Sequence, residues 1–244
     1  MSVNLHRVWA ISKKDLRIYY AKGPVVIFGV LVPGFFFLAF TMGRELAETQ
    51  LAVGLIGMAM WFMATAISPV ITPWETREGT LERIVSSPVT VGEMLLGDIL
   101  ASAAVGVALT TLAAVPLIVG LGLSVTKPFV LVAGVVFAGV GFSALGLLMA
   151  AIPTDTTSDV MMLATLLKFP IIFVSGIFLP LSAMPTWSLP LTYASPLTYF
   201  VGVVTNCLGG SGNGLGWLVG LVVFTVLLFV IAVATHHRTL PRRL

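Results

Sequence analysis

Charge is what this chain lacks. Only 9% of its 244 residues are Asp, Glu, Lys or Arg, and 58% are hydrophobic. A typical soluble domain carries about 25% charged residues. That stock cannot cover a water-facing surface, so the composition excludes a soluble globular fold and indicates an integral membrane protein. The apolar stretches are continuous and near the ~20 residues that a membrane helix needs. They lack the short alternating segments of a closed barrel, so the spans read as helices.

Other absences narrow the chemistry. Cys207 is the single cysteine. It excludes an internal disulfide and reads as a small apolar packing residue. The dipeptide Gly-Lys never occurs, so there is no P-loop of the form G-x-x-x-x-G-K-[ST] to cradle phosphate. The three histidines, His6, His236 and His237, all lie near the chain ends. No Cys/His cluster offers a zinc site, and no Ser-His-Asp constellation is supported. Neither a catalytic residue nor a metal site is expected. His236 and His237 read as solvated or lipid-facing groups.

Ion- or proton-driven carriers place several ionisable groups at mid-membrane. Here the candidates reduce to Asp98 and Lys168. Asp98, near the start of a span, reads as an interfacial residue, with a proton relay the alternative. Lys168 lies ~12 Å of helix into its span and either snorkels to the inner surface or faces a lumen.

What is present falls into an ordered series. Residues 1–23 are polar and basic, with Leu5, Val8, Trp9, Leu16, Tyr19 and Tyr20 near one helical face and Arg7, Lys13, Lys14 and Arg17 mostly off it. This pattern predicts an amphipathic helix lying on the membrane surface. Six spans follow, over 24–43, 51–73, 95–123, 129–152, 160–181 and 214–235, and a basic tail occupies 236–244. The first apolar run is too long for a signal-peptide core and reads as an uncleaved anchor. Ten Lys and Arg residues fall on the side of the two termini and the 74–94 loop; Arg44 and Lys127 fall on the other. The bias places both termini in the cytoplasm.

Two segments break the apolar monotony. Residues 73–89, PWETREGTLERIVSSPV, carry Glu75, Arg77, Glu78, Glu82 and Arg83 between Pro73 and Pro88. Gly79 permits a bend, and Thr80 through Arg83 can open a fresh short helix. The alternating signs suit a polar protein surface better than anionic lipid. A short helix joined to two spans would act as a lever for a soluble partner. The second segment, 175–204, is apolar and uncharged, yet Pro180, Pro185, Pro190 and Pro196 interrupt it. Prolines at that spacing predict short broken helices. A re-entrant hairpin over 182–208 on the outer side fits, with Trp187, Tyr193 and Tyr199 near the interface. GGSGNG leads into the last span as a flexible link. Gly216/Gly220 and Gly139/Ser143 are small-residue pairs suited to close helix contact, and Met58, Met60 and Met63 read as adaptable packing.

Glu75, Gly79, Thr80, Leu81 and Glu82 in E-x-x-x-G-T-L-E, followed by Ser87-Pro88-Val89, resemble the cytoplasmic segment after the second span of ABC-2 type transporter permeases. S-G-I-F-L-P-L-S-A-M-P, then S-P-L-T-Y, resembles that family's segment after the fifth span. The likeness runs over nearly the whole chain and is nearest to daunorubicin-type drug-export permeases; polysaccharide and lipopolysaccharide exporters are also similar. The resemblance implies a half-transporter in the cell membrane that pairs with a second copy or a related permease. Each half would dock a separate ATP-binding cassette subunit, which holds the ATP and Mg; this chain needs no cofactor of its own. Glu75, Arg77, Glu78, Gly79, Thr80, Leu81, Glu82, Arg83 and Pro88 would form the coupling contact, and Pro180, Pro185, Pro196 and Tyr199 the outer gate. Met58, Trp61, Phe62, Lys168, Phe169 and Phe173 are the candidate pathway residues. The implied cargo is a drug or another lipophilic or amphipathic compound. A lipid-linked glycan, a non-transporting assembly role and a stand-alone carrier are the alternatives.

Overall fold

Residues 4–20, 31–43, 46–154, 156–209 and 212–242 are described by the structure, a computed structural model. Every regular element among them is helical. Residues 24–30 of the expected first span lie outside the described residues, as do Lys22, Arg44, Arg243 and Gly210–Ser211 of the expected link.

Helix α1 (Leu5–Ile18) starts at Asn4, whose side chain accepts from the His6 N–H, the usual relief for an orphan amide at a helix start. Helix α2 (Val32–Thr41) is the described part of the expected first span. Then come α3 (Glu48–Ala64), a 3-10 turn (Ser68–Val70), α4 (Ile71–Arg77) and α5 (Thr80–Val85). Helix α6 (Val91–Gly120) opens with a reciprocal capping box between Thr90 and Glu93. Helices α7 (Pro128–Ala150) and α8 (Thr157–Val174) follow. After two 3-10 turns come the short α9 (Leu189–Tyr193) and α10 (Pro196–Cys207), then the last helix, α11 (Gly214–Thr239). Five stretches among the described residues are long and apolar enough to cross a membrane: 48–77, α6, α7, α8 and α11. The proline-rich stretch does form short pieces, as the sequence predicts.

Span boundaries differ most in two places. The fifth span was expected to reach 181, but α8 stops at Val174. Gly176 follows with φ +88°, a left-handed conformation that ends helices. The second span was expected to be continuous. Instead it unwinds after Ala64 and re-forms at Ile71, because Pro69 and Pro73 each remove a backbone donor.

Side chains support the carbonyls around that break. Trp61 O keeps the Thr65 N–H at 3.3 Å and also accepts Thr65 Oγ1 at 2.6 Å. Ala64 O accepts Ser68 Oγ at 3.2 Å and Ser143 Oγ, from α7, at 3.3 Å. Thr65 O accepts the Lys168 ammonium of α8. Lys168 is 6% exposed, so it neither snorkels to a surface nor faces an open lumen. It turns inward to a helix end, where the carbonyl dipoles favour a cation.

The core lies where α3, α7 and α10 meet. Trp61, Phe142 and Phe200 are fully buried there. The Trp61 and Phe142 rings meet edge-on at 4.9 Å, and Phe142 and Phe200 at 6.0 Å, geometries favoured by the aromatic quadrupole. Helix α11 lies along α7 and α10. Gly202 of α10 lets the Trp217 ring of α11 close on its backbone. Ala at 202 would put a methyl inside that ring, an overpacking that costs about 1–3 kcal/mol. Gly202→Ala is expected to lower the thermal midpoint in detergent, whereas Gly120→Ala, with open space around it, leaves it unchanged or higher. Equal midpoints would refute the close contact.

Candidate coupling elbow and its polar anchor

Helices α4 and α5 form an elbow at the end of the molecule that also carries α1. Gly79 makes the bend, with φ +66°, and Thr80 Oγ1 donates back to Glu75 O at 3.3 Å. Leu81 is 1% exposed and packs with Met94, Leu95 and Leu147. That single anchor turns the polar side of the elbow outward. Arg77, Glu78, Gly79, Thr80, Glu82, Arg83 and Pro88 are all exposed. Glu75 is not; it faces α1 and pairs with the Lys14 ammonium. Of the expected coupling residues, Glu75 and Leu81 thus hold the elbow while the others present it.

Beneath α1 lies a polar network that the sequence reading did not assemble. Val8, Ile11, Ser12, Asp15 and Tyr19 face inward, and Leu5, Trp9 and Ile18 face out. The face expected to group Leu5, Val8, Trp9 and Tyr19 is therefore split, because α1 lies across α6 as well as at a surface. Gly97 permits this crossing, since a Cβ there would strike Ile11. Glu93 receives the Asn4 N–H at 2.8 Å and lies 3.7 Å from the Arg7 guanidinium. Lys14 Nζ lies 3.0 Å from Asp15 Oδ1. Asp98 is fully buried beside Asp15, so it faces protein. Tyr20 and Ser102 share a hydrogen bond. One signal was readable in advance: Asp15 sits at helical spacing on the apolar stripe of α1, where only a buried partner makes a carboxylate tolerable.

Burial pulls the Lys14 pKa down, but the nearby carboxylates of Glu75, Asp15 and Asp98 more than reverse it, and the pKa ends above the ordinary range. A raised folded-state pKa on a lysine contributes stability that is full below the unfolded value, about 10.4, and is lost only as pH rises through the folded one. Lys14 therefore stays charged across the physiological range.

The remaining expected residues are dispersed. Met58 and Trp61 are buried in the core. Phe62 and Phe169 join Phe36 of α2 in an aromatic cluster, with centroids 5.2–6.4 Å apart. Phe173 is half exposed. Pro180 and Pro185 each precede a 3-10 turn, and Pro196 opens α10. Tyr199 Oη donates to Tyr193 O at 3.1 Å, and its ring packs on Trp217 and Phe224. His236 is buried, with Nδ1 3.0 Å from Ala232 O, which corrects its reading as a solvated group; His237 is exposed.

Two clefts flank Trp74, of about 400 Å³ toward α8 and about 380 Å³ toward α1. At the opposite end a cavity of about 350 Å³ is lined by Gln50, Pro180, Thr205, Asn206 and Trp217. Removing Lys14 would leave two buried carboxylates without their cation, a change that costs about 3 kcal/mol. Lys14→Met is expected to lower the melting midpoint and expose α1 to protease, and adding Glu75→Leu to restore part of the loss. Additive losses would show that the two groups are uncoupled.

The curated proteins searched contain no match to this chain. The ABC-2 type transporter family model matches residues 2–208, taking in the elbow, its anchor and the helices through α10. The chain is a multi-pass membrane protein and belongs to the ABC-2 type transporter family.

Proposed function

We propose that this chain is the membrane permease of an ATP-binding cassette exporter, driven by a separate ATPase subunit that holds ATP and Mg. The observation that carries the reading is the α4–α5 elbow. Its outward face is solvent-exposed and mixed in charge, and short turns join it to membrane helices on both sides. Such an elbow fits a groove on a soluble protein and would pass that protein's closure into the bundle.

In this reading both termini are cytoplasmic, the membrane is the cell membrane, and α2 belongs to a sixth span. The outward apolar side chains Leu5, Trp9 and Ile18 of α1 would lie in the inner lipid interface. A second copy or a related permease would cover the exposed apolar faces of α2 and α8, which carry Phe35, Leu38, Met162 and Leu166. The pieces between α8 and α11 would form a re-entrant outer gate around Pro180, Pro185, Pro196 and Tyr199.

Cargo would be a drug or another lipophilic or amphipathic compound. The aromatic cluster of Phe62 and Phe169, and Phe173 beside it, suit such a molecule. The Trp61 indole N–H is buried without an acceptor among the described residues, a donor available to cargo when the helices part. The cavity at the opposite end combines a Trp with amide and hydroxyl side chains and has no charged lining residue among the described residues. That lining also suits a lipid-linked glycan, the second reading within the same family.

Reversing one exposed charge tests the elbow. Glu82→Arg is expected to weaken capture of the ATPase by the solubilised chain at least tenfold, about 1.4 kcal/mol, and to reduce coupled ATP hydrolysis with it. Binding and hydrolysis equal to wild type would remove Glu82 from the contact. A wild-type chain that captures no ATPase would sink the exporter reading.

A further inference from the structure

The break in the second span sits directly above the elbow. Helix α3 ends at Ala64, residues 65–67 are unwound, and the chain turns through Ser68–Val70 into α4. The whole stretch is buried, Thr65 and Ser68 completely. Among the described residues, three hydroxyls donate to carbonyls at the end of α3: Thr65 to Trp61 O, which also keeps the Thr65 N–H, and Ser68 and Ser143 to Ala64 O. Thr65 O takes the Lys168 Nζ of a different span.

A lysine is an expensive way to satisfy one carbonyl. Serine or threonine makes such a bond without placing a charge at membrane depth. Lys168 lies eleven residues into α8, about 16 Å from its start, and no Asp or Glu pairs with it among the described residues. What compensates its charge is the carbonyl end of α3. The ammonium and the helix break therefore depend on each other. Opening the break leaves a buried cation without a counter-dipole, and moving α8 leaves Thr65 O without a donor. Next to Lys168, Phe169 packs on Phe62 of α3 and Phe36 of α2, so a displacement of α8 moves both contacts together.

We propose that Lys168 is a positioning residue, locking the break in the second span and thereby tying α8 to the elbow below it. The inference rests on the exporter reading for its purpose, since the lock holds the lever in one setting until the partner's ATP-driven closure shifts it. The lock itself is a property of this chain alone.

Electron–electron distance measurement tests it. Spin labels are placed at Ser86, on the elbow, and Met162, on the outer face of α8, both exposed. Buried Cys207 is replaced by Ala. The nucleotide-free chain in lipid nanodiscs is expected to give a narrow distance distribution. Lys168→Met should broaden it at least twofold, and Lys168→Gln, which keeps a donor but reaches less far, should fall between. In the assembled complex, vanadate-trapped ATP should shift the distance in wild type, while the Met variant should already populate the shifted distance without nucleotide. Thermal melting is followed in parallel, because a merely structural role would lower the midpoint and leave the width unchanged. A wild-type width in Lys168→Met overturns the proposal; if that variant does not fold, a wild-type width in Lys168→Gln does so. Failure of the wild-type chain to bind an ATPase would count against the exporter reading alone, since the widths are read on the isolated chain.

Discussion

Every backbone carbonyl at membrane depth must find a donor inside the protein, and at the end of α3 this requirement organises the molecule. Pro69 and Pro73 forbid a continuous span, so the freed carbonyls draw in Ser143 from α7 and Lys168 from α8 along with local hydroxyls. The break thus fixes the positions of two neighbouring spans. It also sets the direction in which the chain leaves the bundle as α4, and hence where the elbow stands. Without the break, the second span would be a straight rod and its charged end would have no hinge.

A second set of polar contacts holds the other side of the elbow. Lys14 and Glu75 join α1 to α4, Asn4 and Arg7 join α1 to Glu93 at the start of α6, and Tyr20 reaches Ser102 one turn beyond Asp98. The elbow is therefore clamped between an apolar anchor at Leu81 and an ionic one at Glu75. The outward residues Arg77, Glu78, Glu82 and Arg83 carry little structural duty, which leaves their charges available for a partner. The proposed lever rests on this division of labour between inward and outward residues of one short segment.

Much of this was legible in advance. The apolar runs, the charged loop, the glycine bend and the proline-broken stretch follow from composition and from the stereochemistry of Gly and Pro. The positions of α6, α7 and α11 lie within a few residues of their expected bounds, because hydrophobic length is a one-dimensional property. The break at 65–67 was harder to see, since Ala64 to Val70 is uncharged and only Thr65, Ser68 and Pro69 mark it. The end of α8 at Val174 was likewise hidden in a run that stays apolar to Leu181.

The sequence by itself determined that this is a helical membrane protein with one charged elbow, because lipid admits few kinds of backbone and few charges. Only the tertiary structure decided what the rare charged residues do. Lys168 reads equally as a snorkelling or lumen-facing residue until α3 is seen to end beside it. Glu75 reads as part of a partner-facing loop and Asp98 as interfacial until α1 is seen to lie across α6. The physical reason is the same in each case: a buried charge takes its meaning from a partner distant in the chain, and periodicity along the chain carries no record of which helix will arrive.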